Sequence, residues 1–245
     1  MAAAVDLAPG AAQQFYACGL GDRLVDELRY PAGIREFLSA ERRLLVALRP
    51  LFTTLVEIGC MDGRHVEWAA THQKRYLGVE PVARYAAAAR HSIRRSKLDP
   101  SRYRVVQGGG EDLETIVERQ LTPRERSLLF FPFNSFGNAS HPSAILNTLM
   151  RVARPVLISS YRPTQLATRV RAEYYERCGY HRLRQQSSSS CIRFVTDDGL
   201  NSVAYQPRYL RRLAADCGLE LRPVRFGRVG LAFVSPDVAR HLSGS

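Results

Sequence analysis

Lysine is almost missing from this chain. Lys74 and Lys97 are the only two, although Lys and Arg together number 35 against 23 Asp and Glu, for a net charge of +12. The positive charge is arginine, spread from Arg23 to Arg240 without a single block. Such a spread fits a compositional bias with solvated outer faces, and it also admits a phosphate-bearing partner. The densest local cluster is Arg84, Arg90, Arg94, Arg95, Lys97, Arg102 and Arg104. Paired cysteine is missing too. The five cysteines, Cys18, Cys60, Cys178, Cys191 and Cys217, are odd in number and form no CxxC or CxxxC pair. That excludes a disulfide framework and a zinc site of ordinary spacing, and no metal is expected. No stretch approaches the roughly 20 apolar residues needed to span a bilayer. The first ten residues lack a basic segment followed by a long apolar one, so secretion is not signalled. The expectation is a soluble cytoplasmic protein without a membrane partner.

What is present can build a core. The chain has 245 residues, 45% of them hydrophobic, enough for one α/β domain with decorations. Helical patterns run over 11–30 and 34–48, broken by Pro31-Ala32-Gly33. Strands are then predicted at 54–58, 75–79, 103–107, 127–131 and 155–160, and helices at 63–72, 82–96, 111–120 and 141–152. Repeated strand–helix alternation implies a parallel sheet covered on both faces, because crossovers are right-handed. After residue 160 the alternation stops. A helix at 164–179, short strands at 181–186, 191–196 and 201–205, and a helix at 207–217 lead into a hairpin, 219–225 and 229–234. The prediction is α/β: a seven-stranded, mainly parallel, doubly wound sheet with an antiparallel last strand, an N-terminal helical lid over 1–50 and an insertion at 161–205 within a domain over 51–245.

The stretch Leu55-Val56-Glu57-Ile58-Gly59-Cys60-Met61-Asp62-Gly63 is an apolar strand that carries an acid, then a Gly turn, then a helix start. A second acid, Glu80, closes the next strand. A tight turn, close backbone approach and a carboxylate for a ribose diol are what a dinucleotide-like ligand needs. The arrangement resembles motifs I and II of the class I S-adenosylmethionine-dependent methyltransferases. Glu57, Gly59 and Gly63 match the acid-x-Gly-x-Gly-x-Gly pattern, and Met61 replaces the middle Gly, where a side chain is expected to exclude positive φ. Ending the sheet with a hairpin is similar to that family as well.

The resemblance implies S-adenosyl-L-methionine as cofactor, with its methionine part on the loop Gly59, Cys60, Met61 and Gly63, at the positive end of the following helix. Glu57 would receive its ammonium group, directly or through water. Glu80, followed by Pro81, would accept from the ribose hydroxyls. Gly110, Glu111 and Asp112 lie where the family reads the adenine; either acid or the backbone alone could do so. The run Phe130-Phe131-Pro132-Phe133-Asn134-Ser135-Phe136-Gly137 resembles a segment seen in several small-molecule members, at the position the family places beside the transferred methyl. The Phe133 ring suits a sulfonium, and Asn134 would orient the acceptor or hold the cofactor. Tyr16, Tyr161, Arg162, Tyr174 and Tyr180 are candidate acceptor contacts. Glu176, His141 and Tyr175 are candidates for proton removal.

The function implied is methyl transfer to nitrogen or oxygen of a small molecule, in biosynthesis of specialised metabolites, with catalysis from orientation and water exclusion. Three alternatives stay open. The charge admits an RNA or rRNA methyltransferase, although no RNA-binding module is visible. Arg162, Arg169 and Arg171 admit a phosphorylated or isoprenyl diphosphate substrate for C-methylation. Met61 and Gly109 admit a non-catalytic cofactor-binding homologue. A homodimer is open on the same sequence.

Overall fold

The computed structural model describes residues 11–244. Two sheets organise them. The larger has seven strands in the order β3-β2-β1-β4-β5-β10-β9. Its strands are β1 (Thr54–Ile58), β2 (Arg75–Glu80), β3 (Tyr103–Gln107), β4 (Ser127–Phe131), β5 (Val156–Tyr161), β9 (Arg222–Phe226) and β10 (Gly230–Val234). β3, β2, β1, β4 and β5 pair in parallel, and β10 runs antiparallel to both β5 and β9. The smaller sheet is an antiparallel meander of β6 (Arg184–Ser187), β7 (Cys191–Val195) and β8 (Asn201–Tyr205).

Burial explains the strand composition. Every residue of β1, β4, β5 and β10 is buried. Parallel strands covered by helices on both faces read as continuous apolar runs. The helices do the covering and split the core in two. On one face lie α2 (Ala32–Ala47), α3 (Val66–Thr71) and α4 (Ala83–Arg95), with Phe37, Leu45, Ala69 and Ala89 packed on Leu55, Leu128 and Leu157. On the other lie α5 (Leu113–Gln120), α6 (Pro142–Val152) and α8 (Pro207–Asp216), with Val117, Leu146 and Leu210 packed on Val56, Leu129 and Ile158. α9 (Pro236–Ser243), which the sequence reading did not identify, closes the described chain with Val238 and Ala239 in the first of these cores.

The predicted helix over 11–30 is corrected. α1 ends at Ala17, Gly19 takes φ 89°, and short 3-10 turns at Leu20–Leu24 and Glu27–Arg29 follow. Gly19, Gly21 and the Asp26 side chain, which accepts from the Leu28 N–H, favour turns over a continuing helix. The result is a strap. It crosses toward α7 (Gln165–Arg177), where the Tyr174 and Tyr180 hydroxyls donate to the Leu24 and Leu20 carbonyls.

The expected start of α3 at residue 63 moves to Val66, because the chain turns through 61–65 first. All five cysteines are free thiols. Among the described residues no helix is long and apolar enough to cross a membrane, and no cluster of His, Cys, Asp and Glu could hold a metal ion.

Candidate active site

The order β2-β1-β4 places the crossover from β3 to β4 beside β1, so the loops after β1 and β4 diverge to opposite faces. A crevice opens at such a switch point, at the carboxyl ends of the strands. A cavity of about 400 Å³ occupies it. Its wall comes from the loops after β1 to β4, the end of β5, α7, the small sheet and the strap.

The loop after β1 is built on left-handed backbone. Gly59 has φ 77°, and a Cβ there would stand 3.0 Å from the Ser135 Cβ. Met61 does not keep φ negative, as expected of a side chain at that step; it takes φ 49°. Its N–H donates to Glu80 Oε2 at 2.7 Å, while the Val82 N–H donates to Oε1 at 3.0 Å. The Met61 bond holds the loops after β1 and β2 together, which offsets the strain at Met61, and the Val82 bond fixes the carboxylate within its own loop. Burial pushes the Glu80 carboxyl above its ordinary value, against the two backbone donors that lower it. An ionised carboxylate accepts about four hydrogen bonds, so Glu80 keeps acceptor capacity on the cavity wall.

Glu57 also lines the cavity, and it is held by partners within the chain. It is 1% exposed, its Oε1 lies 2.7 Å from His65 Nδ1, and its Oε2 accepts from the Tyr76 hydroxyl at 2.6 Å. Each oxygen has one partner within the chain, so a carboxylate at the end of an apolar strand is paired before any ligand arrives, and like Glu80 it keeps acceptor capacity.

Arg64 carries the feature that sequence reading missed. Its Nη2 donates to the Tyr30 hydroxyl at 2.6 Å, and its guanidinium lies 5.0 Å from the Phe133 ring centroid. Nη1 is buried without a hydrogen-bond partner, and the residue lines the cavity. A buried, unsatisfied donor on a cation is costly unless something arrives to meet it.

The loop after β4 is held by an acid from the N-terminal region. Phe133 and Asn134 take φ 43° and 64°, and the Phe133 N–H donates to Glu41 Oε1 at 2.8 Å. Glu41, on α2, is 1% exposed, and burial raises its carboxyl above the ordinary value. The Ser159 hydroxyl, buried like Glu41 Oε2, opposes that rise from close by. Asn134 Oδ1 accepts from the Ser160 hydroxyl at 2.6 Å, and Nδ2 donates to Ser202 Oγ at 3.1 Å. Met61, Phe133 and Asn134 thus place three strained non-glycine residues on one cavity, the pattern of a site whose geometry matters more than its local energy.

Of the other expected contacts, Gly59, Cys60, Pro81, Gly110, Glu111, Tyr16, Tyr161, Tyr174, Tyr175 and His141 line the cavity. His141 stands at its exposed rim. Gly63, Asp112, Arg162, Tyr180 and Glu176 do not line it. A Cβ on Gly63 would stand 2.9 Å from Val66 Cγ2, so this Gly serves helix packing. Asp112 turns back to accept from the Gly109 N–H at 2.8 Å. Arg162 donates to the Arg228 carbonyl at 3.1 Å. The Tyr180 hydroxyl latches the strap. Glu176 is exposed on the outer side of α7. Arg171 is 1% exposed and lies behind the wall, 5.1 Å from the Tyr161 ring centroid and 4.8 Å from that of Phe194. The arginines expected to line a phosphate pocket therefore do not line one.

No family model and no curated protein matches the sequence. Solved structures do match. One is the Burkholderia thailandensis 1,6-didemethyltoxoflavin-N1-methyltransferase with bound 1,6-didemethyltoxoflavin and S-adenosylhomocysteine. It is 12% identical, with 95% of this chain and 92% of that one covered at a TM-score of 0.56. Another is the magnesium protoporphyrin IX methyltransferase of Synechocystis PCC 6803 with bound S-adenosylhomocysteine, 9% identical, with coverages of 91% and 96% and a TM-score of 0.55. A third is a methyltransferase of Aquifex aeolicus, 12% identical, with coverages of 94% and 98% and a TM-score of 0.51. The fold is that of the class I S-adenosylmethionine-dependent methyltransferases. At such identities the likeness concerns the fold, and activity must be argued from the site.

Proposed function

We propose that this protein is an S-adenosylmethionine-dependent methyltransferase acting on nitrogen or oxygen of a small molecule. The observation that carries the reading is the pairing of two groups on one cavity. Arg64 Nη1 is a buried cationic donor without a partner, and Glu80 is a carboxylate with spare acceptor capacity. The cofactor has a carboxylate at one end and a ribose diol in its middle, which suits these two groups.

The remaining residues fit the same group. The Gly59–Met61 backbone offers close approach for the methionine part, Gly110 and Glu111 lie where the adenine edge would come, and the Phe133 ring suits a sulfonium. The cofactor, when bound, supplies an electrophilic methyl on a positively charged sulfur. The chain's own task is to orient and to exclude water. The strap and α7 cover the crevice, and the strained Phe133–Asn134 loop fixes the wall beside the acceptor.

Proton removal is lightly provided for. Glu57 is engaged, Glu176 is outside, and burial raises the phenols of Tyr16, Tyr161 and Tyr174 far above neutrality. His141 at the rim is the group able to take a proton as it leaves. A nitrogen nucleophile suits such a site better than an alcohol, because its lone pair attacks first and the proton becomes acidic afterwards. We assign the strap before α2 to the cover and 161–205 to the acceptor side of the domain; residues 1–10 of the lid expected over 1–50, and the last residue of the domain expected over 51–245, lie outside the described residues, and α2 within that lid is part of the core.

The test is incubation of the protein with S-adenosylmethionine and metabolite extracts, read by mass for a gain of one methyl. Turnover lost in Glu80→Ala supports the reading. Turnover unchanged in that variant contradicts the assignment of the site.

A further inference from the structure

Behind the acceptor side of the cavity lies a hydrogen-bond network whose proton count does not close within the protein. Three donors converge on one oxygen, Ser202 Oγ. The Tyr175 hydroxyl reaches it at 2.7 Å, Asn134 Nδ2 at 3.1 Å and Arg171 Nη2 at 3.4 Å. Arg171 can only donate, and the Asn134 amide is placed with its oxygen toward the Ser160 hydroxyl and its NH₂ toward Ser202. A serine oxygen has two lone pairs and one proton. If Asn134 and Arg171 fill the lone pairs, Ser202 donates to Tyr175 and the Tyr175 proton is left over. If Tyr175 and Asn134 fill them, the Ser202 proton is left over. With the Asn134 amide so placed, one hydroxyl proton has no acceptor among the described residues in either arrangement, and both residues line the cavity.

The surroundings narrow what meets that proton. Arg171 is buried, with no carboxylate within ion-pair distance among the described residues, and its other donations go to the Ile192 and Ser202 carbonyls. A buried cation behind the wall polarises the network toward the cavity and repels a cationic acceptor. Its Nε is buried without a partner, but the residue does not line the cavity, so it does not serve as a phosphate clamp there. Tyr16, Tyr161, Tyr174, Leu24, Val25 and Leu200 also line the cavity and offer it flat or apolar faces, and the Arg64 and Glu80 charges near them are the ones assigned above to the cofactor.

Resting on the methyltransferase reading above, we propose that the acceptor is an uncharged, flat heteroaromatic molecule whose carbonyl oxygen or ring nitrogen accepts the hydroxyl proton of the Ser202–Tyr175 pair. The ring packs among the tyrosines, and the hydrogen bond sets which atom faces the methyl. Ser202 and Tyr175 are then specificity-determining contacts, and Arg171 is a positioning residue that acts through them.

The experiment uses the full chain saturated with S-adenosylhomocysteine, whose binding is first confirmed by calorimetry. Ligand-observed NMR then compares quinolin-4-one with naphthalene, naphthylmethylammonium and geranyl diphosphate. Quinolin-4-one is expected to bind at least about tenfold tighter than naphthalene, the value of one polarised hydrogen bond. The preference should vanish in the Ser202→Ala/Tyr175→Phe double variant, with cofactor-product affinity unchanged. Val25→Trp should block quinolin-4-one while leaving S-adenosylhomocysteine binding intact. Equal binding of quinolin-4-one and naphthalene, tighter binding of the ammonium or the diphosphate, or no quinolin-4-one binding to a loaded protein overturns the proposal alone. Failure of S-adenosylhomocysteine itself to bind overturns the underlying reading and this proposal with it.

Discussion

At the scale of single residues, two buried carboxyls give the site a pH dependence of known sign. Glu80 has its value raised by burial, and a ribose diol would donate to its ionised form. Binding then releases a proton. Affinity for S-adenosylhomocysteine should rise with pH through the raised value and level off above it. Glu80→Gln should give a flat, weaker profile in calorimetry across that range; a wild-type profile that falls with pH contradicts the assignment. Glu41 acts on stability instead. Its folded value lies above the ordinary 4.5, so its contribution is fully present below about that pH and is lost as pH rises through the folded value. Glu41→Gln stays neutral throughout. Its denaturant midpoint should therefore gain on the wild type as pH rises from about 4 to about 8, and a constant difference would exclude the role. Some of these residues were legible beforehand. Glu41 sits between Phe37 and Leu44–Leu45 on the apolar stripe of α2, and Arg171 shares its helix face with Ala167 and Tyr175. An acid or a cation on a buried stripe is a signal in itself. Arg64 carried no such signal, since nothing before folding shows that its side chain turns under Phe133.

Elements show the same division. β1, β3, β4 and β8 have the bounds their composition predicts, because a buried strand between turn residues has little choice. The strap was not legible. It is held by tertiary bonds to its carbonyls, from the Tyr30 and Tyr174 hydroxyls to Leu24, from Tyr180 to Leu20, and from Cys178 Sγ to Arg23 at 3.2 Å. Arg84 adds bonds to the Tyr16 carbonyl and to Asp22. Removing the hydroxyls in Tyr174→Phe/Tyr180→Phe should cost about 1 kcal/mol each. Limited proteolysis within 14–30 should accelerate severalfold, and sheet amides should keep their exchange protection; unchanged cleavage would show that the strap is held otherwise. The junction of the small sheet with the site is tighter. A Cβ on Gly137 would lie 2.1 Å from the Val203 carbonyl oxygen and 2.5 Å from Asn134 Nδ2. Gly137→Ala should lower stability by about 2 kcal/mol or more, read in urea, and should disturb acceptor binding with it.

For the whole molecule, the net charge of +12 turns out to be partly architectural. Arg64 and Arg171 are spent under and behind the cavity, and Arg23, Arg29 and Arg84 are spent on the strap. Composition reports how many arginines there are; only the packed chain shows which face inward. The parallel sheet and the two motif acids were visible because they rest on local pattern. Of the acceptor wall, Tyr16, Tyr161, Tyr174, Tyr175 and Asn134 were named from the sequence, but Ser202 was not, because it meets Tyr175 and Asn134 only when α7, β8 and the loop after β4 come together. The central claim is that the cavity at the carboxyl ends of the strands holds S-adenosylmethionine through Glu80 and Arg64. Titration calorimetry of S-adenosylhomocysteine against the wild type, Glu80→Ala and Arg64→Met tests it most directly. The expected result is saturable one-to-one binding by the wild type, weakened by about 1.5–3 kcal/mol in each variant while both stay folded. No binding by the wild type, or equal affinity in all three proteins, would contradict it.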